Sequence, residues 1–323
     1  MRPTRAPLAF YDLKPDPRSF LEEVIAGLSQ PQKTLSPKFF YDERGSALFE
    51  EICGLAEYYP TRTELALMQA RGAEMAALLG RGSVLIEFGS GSGLKTFELI
   101  EHLEPAAYLP IDIAAAQLRS FAQALTARFS GLPVVAVCAD YSRPFSLPGM
   151  DRFGSRRRVA YFPGSTIGNF TVDEARVFLQ RARTLVGSGG GMLVGVDLKK
   201  DVALLHAAYN DAKGVTAAFN LNLLMRINRE LNADFDLAAF RHHAYYDMRL
   251  GRIEMHLVSL VEQTATVAGR AFHFRRDETI HTENSYKYSV AEFQALAGEA
   301  GFQAARHWVD PARLFAVHYL CVP

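Results

Sequence analysis

The sequence predicts an α/β fold, a doubly wound sheet of mostly parallel strands with an α+β lobe inserted late in the chain. Three observations carry that expectation. The apolar run Val84-Leu85-Ile86 ends in Glu87 and is followed by Gly89, Gly91 and Gly93, then by a helical stretch. A buried strand feeding a glycine-rich turn and a helix opens a nucleotide-binding sheet, because glycine lets backbone N–H groups approach a ligand where a Cβ would clash. Short apolar runs and amphipathic stretches then alternate as far as residue 197, the pattern of successive βα units. Between 201 and 285 that alternation lapses, and one helix and two strand-like segments close the chain.

Taken in order, residues 1–35 hold two Pro-punctuated pieces and one helix at about 17–29, with Phe20, Val24 and Leu28 at helical spacing. An aromatic cluster at 36–46 breaks into a turn before a short amphipathic helix carrying Ala47, Leu48, Glu51 and Ile52. Residues 57–64 read as a loop in which Thr61 and Thr63 are N-cap candidates for a helix over 64–79. Strands are expected at 84–88, 108–113, 134–139, 159–162 and 192–197, with helices at 95–103, 114–129 and 173–186. Residues 201–235 read as helical, broken near Gly214 and at 232–234. Residues 252–261 and 263–274 alternate apolar and polar side chains and read as an antiparallel pair. Phe293, Leu296, Ala297 and Ala300 share one face of a last helix, and 303–309 and 314–322 form a hairpin at the sheet edge. The expected domains are 1–200 with an N-terminal helical cap, an inserted lobe over 201–285, and a return to the first domain over 286–323.

Composition narrows the partners. Lys+Arg and Asp+Glu both number 35, so no basic excess points to nucleic acid or an anionic membrane, and a small molecule is favoured. Cys53, Cys138 and Cys321 are widely spaced and odd in number, which suits a reducing compartment rather than a disulfide framework. The nine histidines show no metal-ligand spacing, so no metal is expected. No apolar stretch at the N-terminus has signal or transmembrane length, and a cytoplasmic protein acting as a monomer is the expectation.

The chemistry-bearing positions follow from the strand ends. Leu94 stands where the dinucleotide fingerprint would place its third glycine, whereas Glu87 with Gly89, Gly91 and Gly93 is similar to the E-x-G-x-G-x-G loop of class I methyltransferases. In those enzymes the loop wraps S-adenosylmethionine (SAM). Asp112 closes the second strand 23 residues beyond Gly89, where a carboxylate can accept from both hydroxyls of a ribose. Asp140 ends the third strand and suits an adenine amine; a strand-end turn residue is the plainer alternative. Lys95 opens the following helix. Asn169, after the fourth strand, suits an amino or carboxylate group, or else is an ordinary turn residue.

Longer stretches resemble one family over nearly the whole chain from Ser36 onward, the ergothioneine-pathway L-histidine Nα-methyltransferases. The carriers include Pro37-Lys38-Phe39-Phe40-Tyr41-Asp42, Glu57-Tyr58-Tyr59-Pro60-Thr61-Arg62-Thr63-Glu64, Thr166-Ile167-Gly168-Asn169, Ala208-Tyr209-Asn210-Asp211, Phe219-Asn220, Ile253-Glu254-Met255 and Thr282-Glu283-x-Ser285. The resemblance implies a Rossmann-like class I fold that converts histidine to Nα-trimethylhistidine (hercynine) through mono- and dimethyl intermediates. It implies that Tyr58, Gly89, Lys95, Asp112, Asp140 and Tyr141 contact SAM. It further implies that Tyr41, Asn169, Tyr209, Met255, Glu283 and Ser285 line the histidine pocket, Glu283 and Ser285 reading the imidazole. No dedicated general base is implied. Two departures stand out: a more glycine-rich run at Ser92-Gly93-Leu94, and Asn284 where an apolar residue is expected. The same methylation of another amino acid, such as a tryptophan derivative, and a non-catalytic SAM-binding protein are the alternatives.

Overall fold

The computed structural model describes residues 8–13, 17–91 and 93–323. Ser92 and the N-terminal pieces at 1–7 and 14–16 lie outside the described residues. In chain order, β1 (Leu8–Asp12) precedes α1 (Pro17–Leu28), the two-residue β2 (Lys33–Thr34), α2 (Glu43–Cys53) and α3 (Tyr59–Leu79). The alternating stretch follows as β3 (Val84–Phe88), α4 (Leu94–Leu103), β4 (Ala107–Asp112), α5 (Ala115–Arg128), β5 (Val134–Cys138), β6 (Arg158–Phe162), α6 (Val172–Val186) and β7 (Gly191–Asp197). Next come α7 (Val202–Tyr209), α8 (Val215–Leu231), β8 (Phe240–Asp247), β9 (Arg252–Ser259), β10 (Gln263–Val267), β11 (Arg270–Phe274) and β12 (Thr279–Tyr286). The chain ends with α9 (Val290–Glu299), β13 (Gln303–Val309) and β14 (Phe315–Cys321).

The chain divides into two compact units. The first holds the described residues up to 13, 60–199 and 287–323; the second holds 17–59 and 200–286. In the first, the strand order is β1-β5-β4-β3-β6-β7-β14-β13. β1 to β7 of this sheet run parallel, and β14 and β13 close one edge antiparallel. The order reverses around β3, where a doubly wound sheet opens a crevice beyond its strand ends. β3 and β5 are buried along their full length, as apolar runs must be when helices cover both faces. Leu85, Tyr108, Ala136 and Tyr161 pack with Met68, Met75, Leu99, Phe121 and Leu125 in that core.

β1 is an edge strand paired with β5, Leu8 against Val134 through Asp12 against Cys138. Its five residues carry no clear alternation, which is why the sequence shows only a Pro-punctuated piece there. α3 begins at Tyr59 rather than at 64, so Thr61 and Thr63 lie inside the helix and are not N-caps. Pro60 sits in the first turn, where a missing N–H costs nothing.

In the second unit a four-stranded sheet has the order β2-β12-β9-β8, and β10 and β11 form a separate hairpin. The expected pairing of 252–261 with 263–274 does not occur: β9 pairs with β8 and β12 instead. β8 and β12 carry polar residues on one face and were not legible as strands. Residues 17–59, expected with the first domain, group with this sheet because β2 pairs β12 and α2 packs on α8. Asp42 is the cross-link. It caps α2 by accepting from Gly45 N at 2.7 Å, and also accepts from Asn222 Nδ2 at 2.8 Å and Arg229 at 2.7 Å. Phe40 stacks on Phe219 with ring centroids 4.4 Å apart. Among the described residues no helix is long and apolar enough to cross a membrane.

Within the first unit, Lys287 Nζ meets Asp197 Oδ2 at 2.7 Å, and both side chains are essentially inaccessible to water. Tyr288 N donates to Asp197 O at 3.1 Å and Lys199 N to Tyr288 O at 3.1 Å, so the pair joins the two segments flanking 200–286. Removing one partner of a buried pair strands the other charge and costs ~3–5 kcal/mol, whereas an apolar replacement of both is far milder. Lys287→Met should therefore lower unfolding stability by about that amount in urea titrations, and the Asp197→Leu/Lys287→Met double variant should recover most of it. Equal losses in both would show that the charge pair is not what holds this junction.

Candidate functional site

The first unit presents polar groups where β3, β4 and β5 end. Gly89 N donates to Ile111 O at 2.8 Å and Ala139 N donates to Asp112 O at 3.0 Å. These two bonds bring the glycine turn, Asp112 and Asp140 level along one sheet edge. Gly93 has φ +73°, and a Cβ there would lie 1.9 Å from the Phe121 ring, so only glycine lets α4 start at this point. Asp112 accepts from Ala114 N at 3.0 Å, with Gly91 N at 3.5 Å from its other oxygen, and burial pushes its carboxyl above the ordinary value. Asp140 is held in a turn by Ser142 N and Oγ, at 3.0 and 2.5 Å. Tyr141 packs edge-on to Phe88 and Phe162, and its hydroxyl would stand 3.4 Å from a Cβ on Gly89.

Lys95, in the first turn of α4, pairs with Glu64 Oε2 at 2.5 Å, and the same oxygen accepts from Gly164 N at 2.8 Å. Glu64 is fully buried within α3, and the sequence reading gave it no such role. Asn169 ends a short 3-10 turn, Thr166–Asn169, and is half-buried. Beneath the turn, Glu87 is fully buried and accepts from Thr96 Oγ1 at 2.8 Å and Tyr108 OH at 2.6 Å. Burial outweighs those donors and pushes its carboxyl up to about 8.

In the second unit, Tyr209 OH donates to Ser285 Oγ at 2.7 Å, and both residues are buried. Glu283 lies directly across the ladder from Met255. This placement depends on a β-bulge: His281 opposes His256 and Glu283 opposes Met255, so Thr282 is an extra residue. In a regular strand His281 and Glu283 would share a face. The bulge turns Glu283 and Ser285 to the face of Met255, where α8 packs through Asn220 on Thr282. Asn284 opposes Glu254, so it faces away from Glu283 and Ser285. Tyr41 lies edge-on to Phe219 at 5.9 Å. Tyr58 lies 6.2 Å from the Tyr209 ring, and burial pushes its hydroxyl well above the ordinary range. Tyr58, expected at SAM, belongs to the second unit, where its ring neighbours are Phe49 and Tyr209.

Histidine spacing suggested no metal site, yet strand register gathers three potential ligands that spacing cannot reveal. Ligand atoms of Glu254, His256 and His281 lie within 4.8 Å of one another, on the face opposite Met255. They already form a polar network. Glu254 accepts from Arg252 Nε, Tyr245 OH and His256 Nε2, at 2.8, 2.8 and 3.0 Å. His281 Nε2 donates to Glu283 O at 3.0 Å. These bonds hold Glu254 down to about 2, against the effect of burial.

Residues 20–322 match the family described as histidine-specific methyltransferase, SAM-dependent. The chain is 41% identical to a histidine N-alpha-methyltransferase of Mycolicibacterium smegmatis over 91% of this chain and 92% of that one. It is 40% identical to the protein of the same name from Mycobacterium tuberculosis, with the same coverage. It is also 30% identical to the 4-dimethylallyltryptophan N-methyltransferase easF of Aspergillus fumigatus, over 91% of each chain. Among solved structures, the mitomycin 7-O-methyltransferase MmcR shares the fold at a TM-score of 0.50 and 11% identity, covering 96% of this chain and 69% of that one.

Glu87 gives a pH signature. Its carboxyl is protonated in the fold up to about 8 but ionises near 4.5 when exposed, so the folded state holds the extra proton between those values. Its contribution is fully present below 4.5 and is lost as pH rises to about 8, by at most ~1.4 kcal/mol per pH unit. Glu87→Gln should keep the fold and flatten the fall in denaturant stability from pH 5 to 8. An unchanged slope in the variant would place the titration elsewhere.

Proposed function

The chain belongs to the histidine-specific, SAM-dependent methyltransferase family, and on that premise we propose that it trimethylates the α-amino group of L-histidine to hercynine, opening ergothioneine biosynthesis. One observation supports this reading most strongly. The motif-matched positions gather in two places: Gly89, Lys95, Asp112, Asp140, Tyr141 and Asn169 in the first unit, and Tyr41, Tyr58, Tyr209, Met255, Glu283 and Ser285 in the second.

The reaction is an in-line displacement. The neutral amine nitrogen forms a bond to the methyl carbon as the carbon–sulfur bond breaks, S-adenosylhomocysteine departs as a neutral thioether, and the ammonium proton is released before the next cycle. SAM supplies the electrophile, so the chemistry calls for no metal. The protein's task is alignment, and positioning of reactants can supply ~7–11 kcal/mol. Deprotonating an α-amino group costs about 1.4 kcal/mol per unit of pKa above ambient pH, which water can accept, and no side chain is given the role of base. Asp112 suits the ribose hydroxyls, and Asp140 the adenine amine. Asn169 suits the substrate carboxylate.

In the second unit, Glu283 would accept from an imidazole N–H with Ser285 beside it. A competitor without that donor leaves a carboxylate unpaired, which gives stronger discrimination than an apolar wall. The faces of Tyr41, Tyr58 and Tyr209 suit an ammonium that grows more methylated, by cation–π attraction. Asn284 opposes Glu254 across the ladder, on the face away from Glu283 and Ser285.

With histidine and SAM the protein should release mono-, di- and trimethylhistidine, resolved by mass spectrometry. Glu283→Ala should bind SAM normally and lose its preference for histidine in a panel that includes tryptophan derivatives; an unaltered preference would remove Glu283 from specificity. Asp112→Ala should weaken SAM binding at least about tenfold by calorimetry, equivalent to ~1.4 kcal/mol, and unchanged affinity would remove the ribose assignment.

A further inference from the structure

We propose that Asn220 and Thr282 are positioning residues that lock the bulge on which the amino-acid pocket is built; this rests on the reading of Glu283 and Ser285 given above. Asn220, on α8, is completely buried, and Thr282 is 1% exposed. The Asn220 amide uses both ends. Its Nδ2 donates to His256 O at 3.0 Å and to His242 Nδ1 at 2.9 Å, and its Oδ1 accepts from Thr282 Oγ1 at 2.8 Å. Because Nδ1 of His242 accepts, its Nε2 carries the proton and donates to Tyr209 O at 2.8 Å. One side chain thus ties β8, β9 and β12 to the last residue of α7.

Both ends of this chain of bonds meet the pocket. Thr282 is the extra residue of the bulge and directly precedes Glu283. Tyr209 returns through its hydroxyl to Ser285, 2.7 Å away. The bulge decides which face Glu283 presents, and a strand that lost its extra residue would turn Glu283 and Ser285 to the opposite face. A regular ladder would satisfy the backbone equally well. What favours the bulge is the pair of acceptors that meets the Thr282 hydroxyl, Asn220 Oδ1 and Met255 O at 3.0 Å. Asn220 and Thr282 do not touch the reacting atoms; they act through Glu283, Ser285 and Tyr209.

Thr282→Val removes the hydroxyl and keeps the shape, and Thr282→Ser keeps the hydroxyl. Steady-state kinetics and SAM calorimetry on both, beside the parent, make the test. Thr282→Val should raise KM for histidine about tenfold or more, the equivalent of ~1.4 kcal/mol, and flatten the preference over other amino acids. Its SAM affinity should stay within about twofold of the parent, and Thr282→Ser should restore KM. A Thr282→Val enzyme with parental KM overturns the proposal. So does an equal loss in both variants, or a loss of SAM affinity in parallel, which would mark a general structural role. If Thr282→Val does not fold, Asn220→Leu takes its place, since it removes the acceptor for Thr282 and both donors at similar volume. The same rise in KM at unchanged SAM affinity then supports the proposal, and parental KM or a parallel loss of SAM affinity overturns it. A parent that methylates a different amino acid refutes the histidine assignment alone, and the KM comparison is then made with that amino acid.

Discussion

A parallel sheet covered by helices on both faces leaves only its strand ends for polar chemistry, and the first unit is shaped by that constraint. Every residue of β3 and β5 is buried, so a ligand can be met only where the strands stop. The bonds from Gly89 N to Ile111 O and from Ala139 N to Asp112 O make three strands stop in line. Glu87, tied to Thr96 on α4 and Tyr108 on β4, braces the turn from below. A carboxyl at this depth is stable only when protonated or well supplied with donors.

The second unit meets a different constraint. An antiparallel strand alternates its side chains between two faces, and β9 is buried on both from Ile253 to Ser259. β9 and β12 present Glu254, His256 and His281 on one face and Met255 with Ser285 on the other. Setting Glu283 on the Met255 face calls for a shift of one residue in the ladder. The chain accomplishes it with one surplus residue rather than with a loop, which keeps Glu283 on a rigid element where its direction is fixed to within a rotamer.

How much of this was open to sequence reasoning depends on what set each feature. The βα alternation was legible because burial on both faces writes itself as apolar runs. β1 was not, because an edge strand of five residues leaves no periodic trace. β8 and β12 were missed for a related reason: residues such as His242, His243, His281 and Asn284 are polar on either face, so alternation is masked. The strand-end residues Asp112 and Asp140 followed from spacing, whereas Glu64 and Asn220 act through partners distant in sequence. Only register brings Glu254, His256 and His281 together. Tyr58 sits in a loop, and its ring neighbours Phe49 and Tyr209 cannot be read from its position in the chain.

The placement of Asn284 carries the specificity argument a step further. In sequence it sits between the two residues proposed to read the ring, and a polar residue there suggests an altered ring-reading surface. The ladder separates it from them, since Asn284 opposes Glu254 while Glu283 and Ser285 oppose Met255 and Ile253. Its neighbours are then those of the histidine and glutamate network, His281 among them. The discrimination proposed above therefore rests on Glu283, Ser285 and Met255, which share one face, and on the bulge that aims them. A sequence comparison that weighs positions 283, 284 and 285 alike mixes two faces of one sheet.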